Sequence, residues 1–440
     1  MKTLFDAIKS YIESQPIRFH VPGHKGKLKL EKYDLTEIPK LDSLYSSCNC
    51  IKNLETEIGE LYECKSIISV GGSTLCIQAM IASSLKPGEK IVIDRHIHIS
   101  VLNALILLNA DPIWVYRKHS TQAPFGQPIE EKQLDLTLKT NKDAKCVFIT
   151  GEDYYGMAPN IPALAGVCKK YGAKLLVDNA HGAYLKFLPK NKHPIHLGAD
   201  LCCDSWHKTF PALTGAAVLN MTEQFNENYV KQRMQMFGSS SPSYLTMLSI
   251  DRCLAYLKSN FSRDLSVLLP KLTQLKNKLI KLGFEILNCE ENSLKLTISS
   301  LNLGLTGFEL AAHLTNRNIH SEYCDHNCVV FMVGPQNSPE DFCRLTEALK
   351  EIKPKIAQTK VNYSLRQKLV SQEKISAASF MNFTPTLIEE SEKMMAAGPA
   401  VVMCPPCVPI IMPGEIVTQE VIHVLKVCKY KLINAWRVNL

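Results

Sequence analysis

From about residue 65 the chain alternates short β-branched runs with longer stretches of helical periodicity, and this alternation constrains the fold more than any other feature. "SIISV" (66–70) leads into "GGST" and a helical "LCIQAMIASSL", and "EKIVID" (89–94) into "HISVLNALILLNA". "DPIWVY", "KCVFITGE", "AKLLVD" and "GADLCCDS" read as four more strands, and helical "IPALAGVCKKYG" falls between them. Strands separated by about ten to fifteen helical residues make βαβ units, so the expected class is α/β with a mostly parallel sheet. Ligands of such sheets sit beyond the carboxyl ends of the strands. Gly71–Thr74 and Ser205–Lys208 each follow a strand, and Asp178 ends one.

At 440 residues the chain exceeds one core, and its texture divides it. We expect an N-terminal segment over 1–60, a large α/β domain over 61–260, a smaller α/β domain over 261–360 and a C-terminal domain over 361–440. The small domain begins at the amphipathic "LLPKLTQLKNKLIKLGFEIL", and "KPKIAQTKVNYSLRQK" reads as a linker. The net charge of +8 forms no basic run, which suits a small anionic ligand better than nucleic acid. No run of eighteen apolar residues occurs, so no membrane span is expected. "MKTLFDAIKSYIES" sets Leu4, Phe5, Ile8 and Ile12 on one helical face, an amphipathic helix and not an export signal. A cytoplasmic protein with reduced thiols follows, Cys76, Cys146 and Cys168 among them in the core. "CPPC" (404–407) opens no thioredoxin-like unit and "CDHNC" (324–328) lacks a second ligand pair, so neither redox chemistry nor a metal is expected.

The stretch "DSWHKTFPALTG" (204–215) seats Lys208 among Trp206, Phe210, Pro211, Ala212 and Leu213. Desolvation there favours the neutral amine, a nucleophile toward a carbonyl. Asp178 ends the preceding strand in "LLVDNAHGAY". By itself it is an ordinary turn former. An amine and a carboxylate on adjacent strand ends are what pyridoxal phosphate requires, one for its carbonyl carbon and one for its ring nitrogen. "SVGGSTLC" offers a phosphate cradle at a helix start, with Ser73 and Thr74 serving there or as plain helix caps. Ser205 and His207 flank Trp206 as further donors. His98, at a strand–helix junction beside Ser100, could stack on the ring.

With these stretches the chain resembles the fold-type-I, pyridoxal-phosphate-dependent ornithine/lysine/arginine decarboxylases in their short form. The matching segments are "FHVPGHKG", "LTEIPKLDSL", "GGST", "DRHIHIS", "DYYGMAPNI", "VDNAHGAY", "SWHKTFPALTGAAVL", "SSSPSYL" and "PPCVPIIMPGE", in the family's order. The resemblance implies that Lys208 is the Schiff-base lysine and Asp178 the partner of the pyridine nitrogen. It places Ala180 and His98 on the two ring faces, and His181 near the ring hydroxyl or the substrate carboxylate. Ser73, Thr74, Ser205 and His207 become phosphate ligands, and Ser240 and Ser241 become positions where a dimer partner approaches. It further implies a homodimer or small homo-oligomer, the "PGHKG" segment near the active site, and a place in polyamine biosynthesis. Asn179, Ile99, Cys407 and Gly215 depart from the family pattern.

The expected reaction is therefore decarboxylation of lysine, arginine or ornithine to an amine and carbon dioxide. A basic side chain wants an acidic partner, for which Glu415 is the first choice and Asp42 the second. An aminotransferase, a β-eliminating lyase or a non-catalytic cofactor-binding descendant could use the same fold.

Overall fold

A computed structural model describes residues 13, 15, 17–19, 42–118, 127–287, 292–361, 384–392, 394–396, 401–403, 408–412, 415–428 and 430–436. The "PGHKG" segment, the "CPPC" stretch with Cys407, and nearly all of the expected N-terminal helix lie outside the described residues.

Strand β1 (Ile17–Phe19) stands apart from the large sheet. That sheet comprises β2 (Lys65–Ser69), β3 (Lys90–Asp94), β4 (Asp111–Val115), β5 (Cys146–Thr150), β6 (Lys174–Asp178), β7 (Leu201–Asp204) and β8 (Ala217–Met221). Their spatial order is β2–β8–β7–β6–β5–β3–β4. Neighbours are parallel except where β8 intervenes, antiparallel to both β2 and β7. The six strands read from the sequence are all present. β8 is the strand the alternation missed: it follows the lysine loop with no helix between, so no βαβ rhythm announces it. β7 and β8 are buried at every position, as sheets covered on both faces must be.

The helices between the strands are bounded by local chemistry. Ile161–Tyr171 starts at Asn160, whose side chain accepts from the Ala163 N–H, carries Pro162 in its first turn, and ends at Gly172 with φ +69°. Gly72–Ser84 packs Leu75, Cys76, Ala79 and Met80 against the sheet, its start marked by Gly72 at φ +69°.

The following residues build a four-stranded sheet from β9 (Glu285–Leu287), β10 (Lys295–Ser299), β12 (Tyr323–Cys324) and β13 (Val329–Met332), and a separate strand β11 (Ile319–Ser321). β12–β13–β10–β9 are antiparallel, while β11 pairs in parallel with β1 through Ile17 and Ile319. Helix Ser262–Lys281 buries Leu265, Leu268, Leu272, Leu275 and Leu279, the stripe its periodicity predicts. The tail contributes β14 (Thr384–Leu387), β15 (Met395–Ala396), β16 (Val401–Met403), β17 (Val408–Ile411) and β18 (Leu432–Trp436), with a helix at Gln419–Val427.

No described helix is long and apolar enough to cross a membrane. The described cysteines are free thiols, and Cys76, Cys146 and Cys168 are in the core. Burial pushes the Cys76 thiol up to about 12.

Gly215 holds the turn that follows β2. Its φ is +95°, its carbonyl accepts from the Gly72 N–H at 2.8 Å, and a Cβ added there would meet the Val70 carbonyl oxygen at 2.7 Å. Gly215→Ala should therefore destabilise the fold by about 1–3 kcal/mol. Thermal unfolding checks this, and an unchanged Tm would mean that the turn relaxes freely.

Candidate active site

Five strand ends deliver side chains to one cleft at the carboxyl edge of the large sheet. Ser73 follows β2, His96 and His98 follow β3, and Thr150, Glu152, Asp153 and Tyr154 end or follow β5. Asp178, Ala180 and His181 end or follow β6, and Lys208 follows β7. This is the ligand edge of an α/β sheet.

Lys208 sits half-buried in the single turn Trp206–Thr209, beside fully buried Trp206 and Phe210. Its Nζ is 2.9 Å from His181 Nε2 and 5.8 Å from the centre of the Tyr154 ring. The Tyr154 and His181 rings lie 4.4 Å apart, centre to centre. Burial, seconded by the charge of Lys208, holds the His181 pKa well below its ordinary value, so a neutral imidazole accepts from the lysine.

Asp178 is buried at the end of β6. Its Oδ1 accepts from the Ala180 N–H at 3.1 Å and from the Cys203 thiol at 3.7 Å. Burial raises its pKa, opposed by Lys208. His98 caps helix Ile99–Leu107, its Nδ1 accepting from the Ser100 N–H at 3.1 Å and lying 2.7 Å from Ser100 Oγ. Burial, and then Lys208, pulls the His98 imidazole down to about 4.

Ser73 is half-buried and Thr74 exposed in the first turn of Gly72–Ser84, where backbone N–H groups lack helical partners. Ser205 is fully buried, and its hydroxyl has no hydrogen-bond partner among the described residues. His207 donates through Nδ1 to the Ala216 carbonyl at 3.0 Å. Ser240 and Ser241 are exposed ahead of helix Tyr244–Tyr256.

Neither acid expected to meet a basic side chain lines this cleft. Glu415 is bound by Arg95, whose Nε and one terminal nitrogen each reach a carboxylate oxygen at 2.8 Å, and it also accepts from the Met412 N–H. Arg95 extends further to the Pro409 and Ile410 carbonyls, so the pair fastens the C-terminal region to the end of β3. Asp42 accepts from the backbone of Cys48, Asn49 and Lys52 at the start of helix Cys50–Tyr62. Burial works to raise its pKa, but these donors prevail and it lies below the usual carboxylate range.

The departure at Asn179 has a local reason. Its Nδ2 donates to Asp204 Oδ1 at 2.6 Å, and Asp204 is fully buried. A glutamate would bring a second carboxylate against it. His193, Cys202 and Asp204 form a cluster of metal-ligand types, yet the Asp204 oxygens already receive His193, Asn179 and Asn220. Ile99 is half-buried in its helix.

The sequence reading missed Glu152, Asp153, Arg117 and Lys295. Arg117 binds Asp94 at 2.7 Å and Asp153 at 3.1 Å, and all three side chains are nearly inaccessible. Lys295, buried on β10, donates to the Asp153 carbonyl. The signal was present in "TGED": two acids directly after an apolar strand, at the ligand edge.

The buried imidazoles make stability depend on pH. An unfolded histidine takes its proton near pH 6.5, whereas His98 resists protonation until about 4. The unfolded chain therefore binds more protons between these values, and stability falls as pH drops through them. The contribution of His98 at pH 5 is on the order of 1–2 kcal/mol lower than at pH 7.5. Thermal melts from pH 7.5 to 5 should show a falling Tm with a shallower slope in His98→Gln, and an equal slope in that variant would refute the assignment.

Residues 2–289 match the family described as Orn/Lys/Arg decarboxylase, major domain. The chain is 27% identical to an arginine decarboxylase of Bacillus subtilis (strain 168) over 450 residues, which cover 95% of this chain and 91% of that one. It is 28% identical to the uncharacterized protein YaaO of the same organism over 451 residues, covering 96% and 93%. Its fold is similar to that of the Francisella novicida lysine decarboxylase LdcF. There the TM-score is 0.76 at 16% identity, covering 90% of this chain and 73% of that one. By sequence and by fold, the chain belongs to the Orn/Lys/Arg decarboxylase family of enzymes.

Proposed function

We propose that this protein decarboxylates a basic amino acid, arginine foremost, with pyridoxal 5′-phosphate as its cofactor. The observation that carries the reading is the convergence of Lys208, Asp178, His98 and His181 on one cleft, in a chain whose family decarboxylates such substrates. The arginine preference rests on the similarity to the Bacillus subtilis arginine decarboxylase named above.

The residues present fit this cofactor. Lys208 would hold its carbonyl carbon, Asp178 its ring nitrogen, and His98 and Ala180 its two faces. Ser73, Thr74, Ser205 and His207 would take its phosphate, and the partnerless buried hydroxyl of Ser205 is the group that most needs such a ligand. When bound, the cofactor supplies an electron sink for the pair left on the α-carbon as carbon dioxide departs. Asp178, pushed up by burial, would ionise beside a protonated ring nitrogen. His181 stays neutral and accepts a hydrogen bond from the lysine at Nε2, which orients the amine. Tyr154 packs against the His181 ring and lies under the Lys208 ammonium, fixing the direction from which the lysine works.

The same reading makes the protein a cytoplasmic homodimer with exposed Ser240 and Ser241 facing the partner. It also retains the division at about residues 60, 260 and 360.

Equal amounts of lysine, arginine and ornithine, supplied with cofactor and followed by mass spectrometry, test the proposal. One amine should dominate, agmatine if arginine is preferred, and should fall to background in Lys208→Ala. A keto acid or free ammonia as product would point to an aminotransferase or a β-eliminating lyase. Saturation with cofactor and no turnover would leave a non-catalytic binder. Either result overturns the decarboxylase reading.

A further inference from the structure

A second cavity, of about 360 Å³, lies behind the cleft and shares a wall with it. Glu152 lines both. Across the stretch after β6, Asp178 and Ala180 face the cleft while Asn179 faces the second cavity. A volume of this size suits a small-molecule site.

Most of the cavity wall is apolar, with Ile161, Leu188 and Leu197 among its residues. Its polar groups are unequally distributed. Asn179 Oδ1 and Glu152 Oε2 have no hydrogen-bond partner among the described residues, and the two residues are 0% and 3% exposed. The amide nitrogen of Asn179 is committed to Asp204, which turns the oxygen toward Gly151 and Gly182. A Cβ at Gly182 would stand 2.1 Å from that oxygen, so only glycine leaves it room. Glu152 Oε1 already accepts from Tyr184 and Ser293, whereas the nearest cation to Oε2 is Lys295 at 3.8 Å, beyond hydrogen-bond reach.

Asp94, Asp153 and Glu152 share this floor with the buried cations Arg117 and Lys295, and Lys208 lines the neighbouring cleft with Glu152, yet none of these cations reaches Glu152 Oε2 within hydrogen-bond distance. A buried carboxylate without a full set of donors is costly, and a cation with N–H groups is the complement. Lys190, exposed, and Lys192, half-buried, also line the cavity and add positive charge on its solvent side.

We infer that this cavity is a second binding site, for an amino acid with a side-chain cation. The cation would lie inward on Glu152 and Asn179, its methylenes along the apolar wall, and its carboxylate toward Lys190 and Lys192. The decarboxylated amine lacks the group those lysines would hold, so the site favours amino acid over amine. The inference uses only the cavity's own groups and does not rest on the proposed reaction.

Nα-acetyl-L-arginine tests it. Its blocked α-amine cannot attach to a cofactor carbonyl, while the guanidinium and carboxylate remain. Calorimetric titration of the full chain loaded with pyridoxal phosphate should show one molecule bound per chain. Leu197→Trp, which fills the cavity, should weaken binding at least tenfold. The surface variant Lys190→Glu should weaken it about threefold without lowering Tm, and it keeps the test decisive if the tryptophan variant misfolds. The acetylated decarboxylated analogue, N-acetylagmatine, which also cannot attach to a cofactor carbonyl but lacks the carboxylate, should bind more weakly than the probe. No binding at millimolar probe, binding indifferent to both variants, or binding lost only in Lys208→Ala would each overturn the inference. None of these readouts depends on amine production, so failure here and failure of the decarboxylase reading are separable.

Discussion

Asp204 carries a carboxylate into the middle of the large sheet, and the geometry of the cleft depends on how that charge is satisfied. It is fully buried at the end of β7 and receives His193 at 2.9 Å, Asn220 of β8 at 2.8 Å and Asn179 at 2.6 Å. Removing such a charge from water is expensive, and three side-chain donors offset the cost only when all are in place. The arrangement therefore fixes the loop after β6 relative to the loop after β7. Those two loops carry Asp178 and His181 on one side and Lys208 on the other. The 2.9 Å contact between lysine and imidazole is downstream of a carboxylate that touches neither.

A second buried network does similar work on the other flank. Arg117 spans Asp94 at the end of β3 and Asp153 after β5, and Lys295 joins the small sheet to the same loop through the Asp153 carbonyl. Tyr155 of this loop meets Asp325 beyond β12 at 2.6 Å. The loop after β5 that lines the cleft is thus tied to the small sheet by charge-assisted hydrogen bonds, which are stronger and more directional than apolar packing.

Much of this was legible in the sequence because it is local. A strand run, a glycine turn and a helix start are written in consecutive residues, which is why β2 to β7 and the positions of Ser73, His98, Asp178 and Lys208 could be read directly. β8 was hidden because it follows an irregular loop and reverses direction without a crossover helix. Pairings were harder. Glu415 looks like an unclaimed acid until Arg95, 320 residues away in the chain, takes both of its oxygens. Lys295 reads as one lysine among many until the fold buries it against Asp153 and Glu152. Periodicity reports which face of an element is buried, but it does not report what a charge meets there.

The pairing of β1 with β11 has a consequence for how the chain is made. Ile17 leaves the ribosome early, and its partner Ile319 is synthesised about 300 residues later. At elongation rates of roughly 5–20 residues per second, the strand waits on the order of 15–60 s for the edge it completes. During that interval its backbone groups are open to any other strand edge, including that of a neighbouring nascent copy. Closure of so long a loop is a late event in folding, after the large sheet can form from its nearer contacts. The first of the described strands to be translated is thus among the last to find its place.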